Sequence, residues 1–196
     1  MSKGITGVIL AGGQSRRMGQ PKALLPWQGR TLIDAVVDRL QPVVNEVLIV
    51  AKDTAPLAGR GARVVADLRP EPHPLTGLYT GLLLARYDVS FVCACDMPWL
   101  DPDMIRRLHG LLDGYDAVAP QHPNGRVEPL HALYARRCAA VLARWPQTGP
   151  RTLLDFLGQL YVRIAPPQAL DGVEGWAQSL TNLNTPAEYA QQHKER

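Results

Sequence analysis

Residues 6–22 read TGVILAGGQSRRMGQPK, and this stretch decides the fold class because it joins a buried strand to a basic loop. Thr6–Leu10 is a continuous apolar run, which is typical of a strand in a parallel sheet covered on both faces. Similar runs recur, separated by amphipathic segments. The further predicted strands are Glu46–Val50, Arg63–Ala66 and Ser90–Cys95. The predicted helices are Thr31–Leu40, Leu75–Arg86 and Asp101–Leu112, with Thr31 and Asp101 as the N-caps of the first and the third. This alternation predicts an α/β fold with right-handed crossovers.

The loop after the first strand has the composition of a phosphate site. Gly12 and Gly13 lack side chains, so backbone N–H groups can approach phosphate oxygens. Positive charge follows at Arg16, Arg17 and Lys22, and both side-chain types bind phosphate. Because ligands of open α/β sheets lie beyond the carboxyl ends of the strands, the loop is predicted to bind a nucleoside triphosphate.

Spacing excludes two common glycine-rich motifs. A P-loop has lysine directly after its last glycine, whereas Gln20 and Pro21 separate Gly19 from Lys22. The dinucleotide fingerprint G-x-G-x-x-G needs separated glycines, and here the first two are adjacent. A basic surface turn after the strand stays the alternative interpretation.

The second half of the chain is less regular. Its patterns predict strands at 116–119, 131–134 and 161–165, helices at 136–145 and 152–160, and a loop at 166–175. Since no repeat or linker interrupts the sequence, residues 1–196 are predicted to form one domain.

The bulk composition limits the function classes. The 196 residues are 46% hydrophobic and 20% charged, as in ordinary globular proteins. A net charge of +3 suits a small polyanion but is too low to indicate nucleic acid as a partner. No apolar run reaches the roughly 18 residues that span a bilayer, so no membrane partner and a cytoplasmic location are expected. The three cysteines form no disulfide framework, and Cys93 and Cys95 are expected to be buried structural residues and not zinc ligands.

Polar side chains that follow strands are the other site candidates. Asp96 ends an apolar strand, so its carboxylate is predicted to face the crevice of the glycine loop and to anchor Mg²⁺. Asp67 also follows a strand and would hydrogen-bond a nucleoside. Asn182 and Asn184 lie two apart and would face one side of an extended segment. Each of these residues also has an interpretation as a turn or capping residue.

Ordered motifs along nearly the whole chain carry a resemblance to a known family. The pattern Leu-Ala-Gly-Gly-x-Ser-x-Arg-Met-Gly-x-x-Lys spans residues 10–22. Five further matches are Asp67, Pro74-Leu75-Thr76-Gly77, Cys95-Asp96-Met97-Pro98, Glu128-Pro129-Leu130-His131-Ala132-Leu133-Tyr134 and Asn182-Leu183-Asn184-Thr185-Pro186. Together they resemble the molybdenum cofactor guanylyltransferases, a MobA-type branch of the sugar-nucleotide and cofactor nucleotidyltransferases.

The resemblance implies a three-layer, Rossmann-like fold with a mostly parallel, mixed central sheet. It implies Mg²⁺-dependent transfer of GMP from GTP to the terminal phosphate of molybdopterin, with release of pyrophosphate. Residues 1–115 would bind the nucleotide and residues 116–196 the second substrate. Transient contact with molybdenum insertion proteins or molybdoenzyme chaperones is also expected.

The resemblance also assigns roles to individual residues. The expected nucleotide contacts are Leu10, Ala11, both glycines of the Gly12-Gly13 pair, Lys22, Asp67 and Asp96. The expected catalytic residues are Arg17, Lys22 and Asp96, and Asp96 also holds the metal. Asn182 and Asn184 would contact the second substrate, near a stretch in which His122 and His131 flank Arg126 and Glu128.

Two positions depart from the family pattern. His73 stands where a glycine often precedes Pro-Leu-x-Gly, and the second strand ends in Val50-Ala51-Lys52 where an asparagine often follows.

Three other functions stay open: a cytidylyltransferase for the same pterin, a sugar-phosphate nucleotidyltransferase, and a nucleotide-binding regulatory or chaperone module without turnover. The module would not need Asp96. Gly12 favours GTP over CTP, because the cytidylyltransferases typically have Ala-Gly where this chain has Gly12-Gly13. Glycine leaves room for the backbone to approach a larger purine.

Overall fold

A computed structural model describes residues 4–12 and 21–183 of the chain. The strands in this part are β1 (Ile5–Leu10), β2 (Pro26–Trp27), β3 (Arg30–Thr31), β4 (Glu46–Ala51), β5 (Arg63–Ala66), β6 (Val89–Ala94), β7 (Ala117–Pro120), β8 (His131–Ala135) and β9 (Val162–Ala165). The helices are α1 (Leu32–Leu40), α2 (Pro74–Leu84), α3 (Pro102–His109), α4 (Ala139–Leu142), α5 (Leu153–Leu157) and α6 (Trp176–Ser179).

Seven of these strands form one mixed sheet in the order β5-β4-β1-β6-β8-β7-β9, and β2 pairs with β3 in a separate ribbon. Strand β1 pairs in parallel with β4 and with β6, β5 is parallel to β4, and β9 is parallel to β7. Strand β8 is antiparallel to both of its neighbours, β6 and β7. The parallel strands therefore all end at the same edge of the sheet, and β8 begins there.

Helices cover the two faces of the sheet in separate layers. Residues alternate between faces along a strand, so Ile9 and Val8 of β1 belong to different cores. The Ile9 side packs against α1 and α3, and the Val8 side packs against α2, α4 and α5. This three-layer α/β arrangement confirms the predicted fold class. No helix in the described ranges has the length and apolar character needed to cross a membrane.

Local capping explains why two predicted helices begin where they do. Thr31 and Asp34 form a reciprocal capping box at the start of α1. Asp101 accepts a 2.8 Å hydrogen bond from the Met104 backbone N–H at the start of α3. Both helix starts confirm the sequence pattern.

The second half departs from the prediction in three places. The segment predicted as one helix over 136–145 is a 3₁₀ turn, Arg136–Cys138, followed by α4, because Arg136 is held by the Asp88 carbonyl and carboxylate. Helix α5 is shorter than predicted: it ends at Leu157, and Gln159 N and Leu160 N make only turn hydrogen bonds, to Phe156 O and Leu157 O. The predicted loop 166–175 contains a 3₁₀ helix, Pro167–Leu170, whose Leu170 is buried in the core.

We expect Gly81→Ala to destabilise the fold by about 1–3 kcal/mol, because the added methyl overpacks the core. A Cβ at Gly81, on α2, would overlap the fully buried side chain of Val8 on β1. Urea unfolding measures the change. Gly110→Ala is the matched control, since Gly110 has a φ of −64° and a Cβ there would be 3.5 Å from its nearest neighbour. Equal stability of Gly81→Ala and the unchanged chain would contradict this packing.

Candidate functional site

The predicted site residues lie along the edge where the parallel strands end, which we call the carboxyl edge. Hydrogen bonds continue the strand ladders past the ends of the strands: Ala11 N donates to Val50 O at 2.8 Å, Asp67 N to Ala51 O at 3.0 Å, and Cys95 N to Leu10 O at 3.2 Å. The segments after β1, β5 and β6 are therefore neighbours. Open α/β sheets bind ligands at this edge.

An ion pair at the centre of this edge joins Lys22 to Asp96. Lys22 Nζ donates to Asp96 Oδ2, and the two side chains are only 17% and 12% exposed. Lys22 starts a 3₁₀ helix after the glycine-rich loop, and Asp96 follows β6. The other carboxylate oxygen, Asp96 Oδ1, is buried and has no hydrogen-bond partner among the described residues. One oxygen of Asp96 is thus held by a cation, and the other is available to a ligand.

Asn182 is brought beside Asp96 by the backbone. Leu183 N donates to Asp96 O at 3.0 Å, so the segment that contains Asn182 lies against the residue that follows β6. The side-chain oxygen Asn182 Oδ1 is buried and also lacks a hydrogen-bond partner within the described residues. Carboxylate and amide oxygens are the ligand types that Mg²⁺ uses in proteins.

These two oxygens do not make a complete metal site. Across residues 4–12 and 21–183, no group of three or more His, Cys, Asp and Glu residues could hold a metal ion. A magnesium ion at Asp96 would therefore take further oxygens from substrate phosphates and water, which is the usual arrangement for Mg²⁺.

The carboxylate of Asp67 occupies space that two glycines leave open. A Cβ at Gly12 would lie 3.3 Å from Asp67 Oδ2, and a Cβ at Gly77 would lie 3.2 Å from Leu10 Cδ2 and 3.8 Å from Asp67 Oδ1. Larger residues at either position would crowd Leu10 or Asp67. The nucleoside contacts predicted at Leu10, Gly12 and Asp67 are thus grouped in one place.

Burial opposes the ionisation of Asp67. Burial raises the pKa of its carboxyl group, although a hydrogen bond from the Thr80 hydroxyl and the positive charge of Lys52 act in the opposite direction. Its Oδ1 atom is buried without a hydrogen-bond partner in the described part of the chain. This oxygen can accept a hydrogen bond from a ligand hydroxyl or amino group.

The cysteines near the site are unreactive. Burial, followed by the negative charge of Asp96, raises the pKa of Cys95 to about 12. Burial likewise raises the pKa of the Cys93 thiol, with smaller contributions from Cys95 and Asp96. Both thiols therefore stay protonated near neutral pH and offer no thiolate nucleophile. Their burial confirms the predicted structural role.

The two departures from the family pattern have structural explanations. His73 is the N-cap of α2, where its Nδ1 accepts a 3.2 Å hydrogen bond from Leu75 N, and its ring lies 5.1 Å from that of Trp145. Lys52 donates to Pro70 O at 2.6 Å and thereby ties the end of β4 to the chain that follows β5.

A further cluster lies on the other half of the carboxyl edge. Glu128 is buried in the loop between β7 and β8, with Arg126 and His122 beside it. The neighbouring His131 is fully buried, and burial, with a smaller effect of His122, lowers its pKa to about 3. His131 is therefore neutral at physiological pH.

The structure brings together, on one edge, the predicted residues Leu10, Ala11, Gly12, Lys22, Asp67, Asp96 and Asn182. Gly13, Arg17 and Asn184 lie outside the described residues, and their roles stay predictions. Sequence reasoning included Gly77 in a motif but gave it no role beside Asp67, and it missed Thr80, whose hydroxyl hydrogen-bonds Asp67. Their spacing on α2 was an available signal, because residues three apart share a helix face.

Comparison with known proteins extends these observations. The sequence profile of the MobA-like NTP transferase domain matches residues 7–163. The molybdenum cofactor guanylyltransferase of Desulfosudis oleivorans is 36% identical over 94% of this chain and 92% of its own length. A probable molybdenum cofactor guanylyltransferase of Pelotomaculum thermopropionicum is 34% identical over 93% of this chain and 89% of its own length.

A solved structure agrees with these sequence relatives. The crystal structure of molybdopterin-guanine dinucleotide biosynthesis protein A from Archaeoglobus fulgidus superposes with a TM-score of 0.83 at 28% identity, and covers 97% of each chain. The similarity thus extends over the mixed sheet and the carboxyl edge. The chain belongs to the MobA-like NTP transferase family.

Proposed function

We propose that this chain transfers GMP from GTP to the terminal phosphate of molybdopterin. The products are the guanine dinucleotide form of the molybdenum cofactor and pyrophosphate. The observation that carries the proposal is the Lys22–Asp96 pair at the carboxyl edge, beside a buried carboxylate oxygen that a ligand can use. Relatives named molybdenum cofactor guanylyltransferases supply the substrate pair.

The nucleotide would lie on the half of the edge formed by the ends of β5, β4 and β1. Leu10, Ala11, Gly12 and Asp67 would contact the nucleoside, and Lys22 the phosphates. The family pattern adds Gly13 and Arg17 to the phosphate contacts. In this arrangement residues 1–115 bind the nucleotide and residues 116–196, with Asn182 and Asn184, bind the second substrate.

Asp96 and Asn182 suit magnesium because both offer a buried oxygen that has no partner in the described chain. Asp96 would be the charged ligand, and Asn182 would be a candidate neutral one. When bound, Mg²⁺ would neutralise negative charge on the phosphate oxygens. Lys22, held by Asp96, would add a second positive charge at the same phosphates.

The reaction needs no protein nucleophile. An oxygen of the terminal phosphate of molybdopterin forms a bond to the α-phosphorus of GTP. The bond from that phosphorus to the oxygen that bridges to the β-phosphate breaks, and pyrophosphate leaves with the bridging oxygen. Catalysis of such transfers depends on positioning and on charge stabilisation. Lys22 and Arg17 are the side chains proposed for this charge stabilisation.

Two other predictions from the sequence accompany this function. A cytoplasmic location, and contact with molybdenum insertion proteins or molybdoenzyme chaperones, stay predictions.

A direct assay tests the proposal. The purified chain is incubated with Mg²⁺, molybdopterin and one of GTP, CTP or ATP, and both pyrophosphate and the dinucleotide product are measured. GTP should give both products, and omission of molybdopterin should abolish both. Product only from CTP would indicate the cytidylyltransferase, and nucleotide binding without any product would indicate the regulatory module.

The basic residues of the loop provide the first prediction about activity. Lys22→Ala and Arg17→Ala should each lower kcat/KM for GTP by roughly ten- to a hundredfold, because a charge-assisted hydrogen bond to phosphate contributes about 1.5–3 kcal/mol. Steady-state kinetics measures the change, and thermal melting checks the fold. Arg39→Ala is the control, because Arg39 is an exposed residue near the end of α1 that is far from the carboxyl edge. Near-normal kinetics in both loop variants would remove the loop from the phosphate site.

Asp96 provides the second prediction. Asp96→Asn should reduce Mg²⁺-dependent transfer to background while the fold persists, because the amide fills the same space without the charge that attracts the metal. A magnesium titration of the rate measures the loss. Asp113→Asn, which alters an exposed carboxylate after α3, should keep full activity. Full activity of Asp96→Asn at ordinary magnesium concentration would exclude Asp96 as the metal ligand.

The contact between Gly12 and Asp67 provides the third prediction. Gly12→Ala should lower the preference for GTP over CTP about tenfold, because a methyl 3.3 Å from Asp67 Oδ2 displaces the carboxylate that positions the nucleoside. The readout is the ratio of kcat/KM for the two nucleotides.

A double-mutant cycle controls this experiment. Gly12→Ala is also introduced into the Asp67→Ala variant. Because that variant has no carboxylate to displace, Gly12→Ala should there change the ratio of kcat/KM for GTP and CTP only slightly. An equal effect of the methyl with and without Asp67 would contradict the explanation.

A further inference from the structure

We infer that Arg126 is a specificity-determining residue for the second substrate, and that its guanidinium binds acceptor atoms on the part of that substrate remote from the attacking phosphate. The inference rests on the proposed transfer reaction. It assigns to Glu128 and His122 the role of positioning residues, which hold the guanidinium in place.

The topology places this cluster beside the proposed reaction centre. The loop 121–130 joins β7, which runs parallel to β6, to the antiparallel β8, so the loop lies on the carboxyl edge. His131 at the start of β8 pairs with Cys93 near the end of β6, and Asp96 follows that strand. Since neighbouring strands are about 4.8 Å apart, β8 and β7 lie roughly 5 and 10 Å from β6 across the sheet.

This position suits the body of the second substrate. On the other side of Asp96, Gly12 follows the end of β1 and Asp67 follows the end of β5, and the nucleoside is proposed to bind there. A substrate whose terminal phosphate reacts near Asp96 must therefore extend its remaining atoms over β8 and β7. The loop that contains Arg126 is the part of the edge that such a substrate would meet.

The guanidinium of Arg126 is held on one side. Its Nη2 lies 3.1 Å from Glu128 Oε2 and 2.9 Å from His122 Nε2. His122 Nε2 also lies 3.3 Å from Glu128 Oε2, so the three side chains form one cluster. Glu128 is itself fixed by its environment: its side chain is 6% exposed, and its backbone N–H donates to Pro120 O at 2.9 Å.

The backbone of the loop is closed by its own hydrogen bonds. His122 N donates to Arg126 O at 2.8 Å, and Gly125 N donates to His122 O at 2.9 Å. Gln121 and Val127 also form an isolated antiparallel bridge. The backbone that carries Arg126 is therefore fixed, and so is its guanidinium group.

The opposite side of the guanidinium remains open to a ligand. The Arg126 side chain is 58% exposed, and in the described chain its guanidinium contacts are made through Nη2. The donors on Nε and Nη1 are therefore available. A donor group that is already held in position loses little conformational entropy when a ligand binds. Such a donor suits a ligand with several hydrogen-bond acceptors, such as the heterocycle of a pterin.

Kinetics with molybdopterin as the varied substrate test this inference. At saturating GTP, Arg126→Ala should raise KM for molybdopterin about tenfold or more, with the Kd for GTP and the melting temperature unchanged. Arg126→Lys should restore only part of the affinity, because a lysine keeps the charge but not the planar fork. Glu128→Gln should raise the KM for molybdopterin less than Arg126→Ala does. In the double variant, Glu128→Gln should raise this KM little beyond the effect of Arg126→Ala alone.

Arg106→Ala is the matched control. Arg106 lies in the last turn of α3, is 53% exposed, pairs with Asp103 and donates to Pro42 O at 3.4 Å, so its loss should leave KM unchanged. An unchanged KM in Arg126→Ala, with or without a lower melting temperature, would overturn the inference and leave a purely structural ion pair. Failure of the unchanged chain to transfer GMP would refute the proposed function instead, and the inference with it.

Discussion

Strand β1 lies at the centre of the molecule, paired in parallel with β4 on one side and β6 on the other, and the candidate site depends on this pairing. The pairing brings the chain after β1 beside the chain after β6. Lys22 and Asp96, which are 74 residues apart in sequence, can meet only because these two strands end together. The same constraint sets Asp67 beside Gly12, since β5 reaches β1 through β4.

Buried oxygens without partners are concentrated at this edge. Of the five buried side-chain oxygens without a hydrogen-bond partner among the described residues, Asp67 Oδ1, Asp96 Oδ1 and Asn182 Oδ1 belong to the candidate site, and the other two are Glu71 Oε2 and Ser90 Oγ. A buried polar atom without a hydrogen bond costs about 1–3 kcal/mol, so folds retain such atoms mainly where a ligand can satisfy them. Their grouping around Asp96 agrees with a site that is completed by substrate and metal.

The ligand-binding role proposed above accounts for the Lys22–Asp96 ion pair better than a stabilising role does. A buried ion pair contributes little net stability, because the loss of hydration offsets much of the attraction. Here Asp96 also keeps one oxygen for a ligand, and Lys22 follows the loop with the family's phosphate-binding pattern. The buried Glu46, by contrast, has ion pairs with Arg63 and Arg86 far from this edge, at the start of β4, and there the partners satisfy one another.

The sequence by itself determined the α/β class, the main strands and helices, the caps of α1 and α3, and the family, because these follow from local periodicity, capping chemistry and ordered motifs. It also singled out Lys22, Asp67 and Asp96 as separate candidates. Only the tertiary structure decided that Lys22 pairs with Asp96, that Gly12 makes room for Asp67, and that β8 is the antiparallel strand. Contacts of this kind depend on the order of strands in the sheet, and a single sequence carries no local signal for that order.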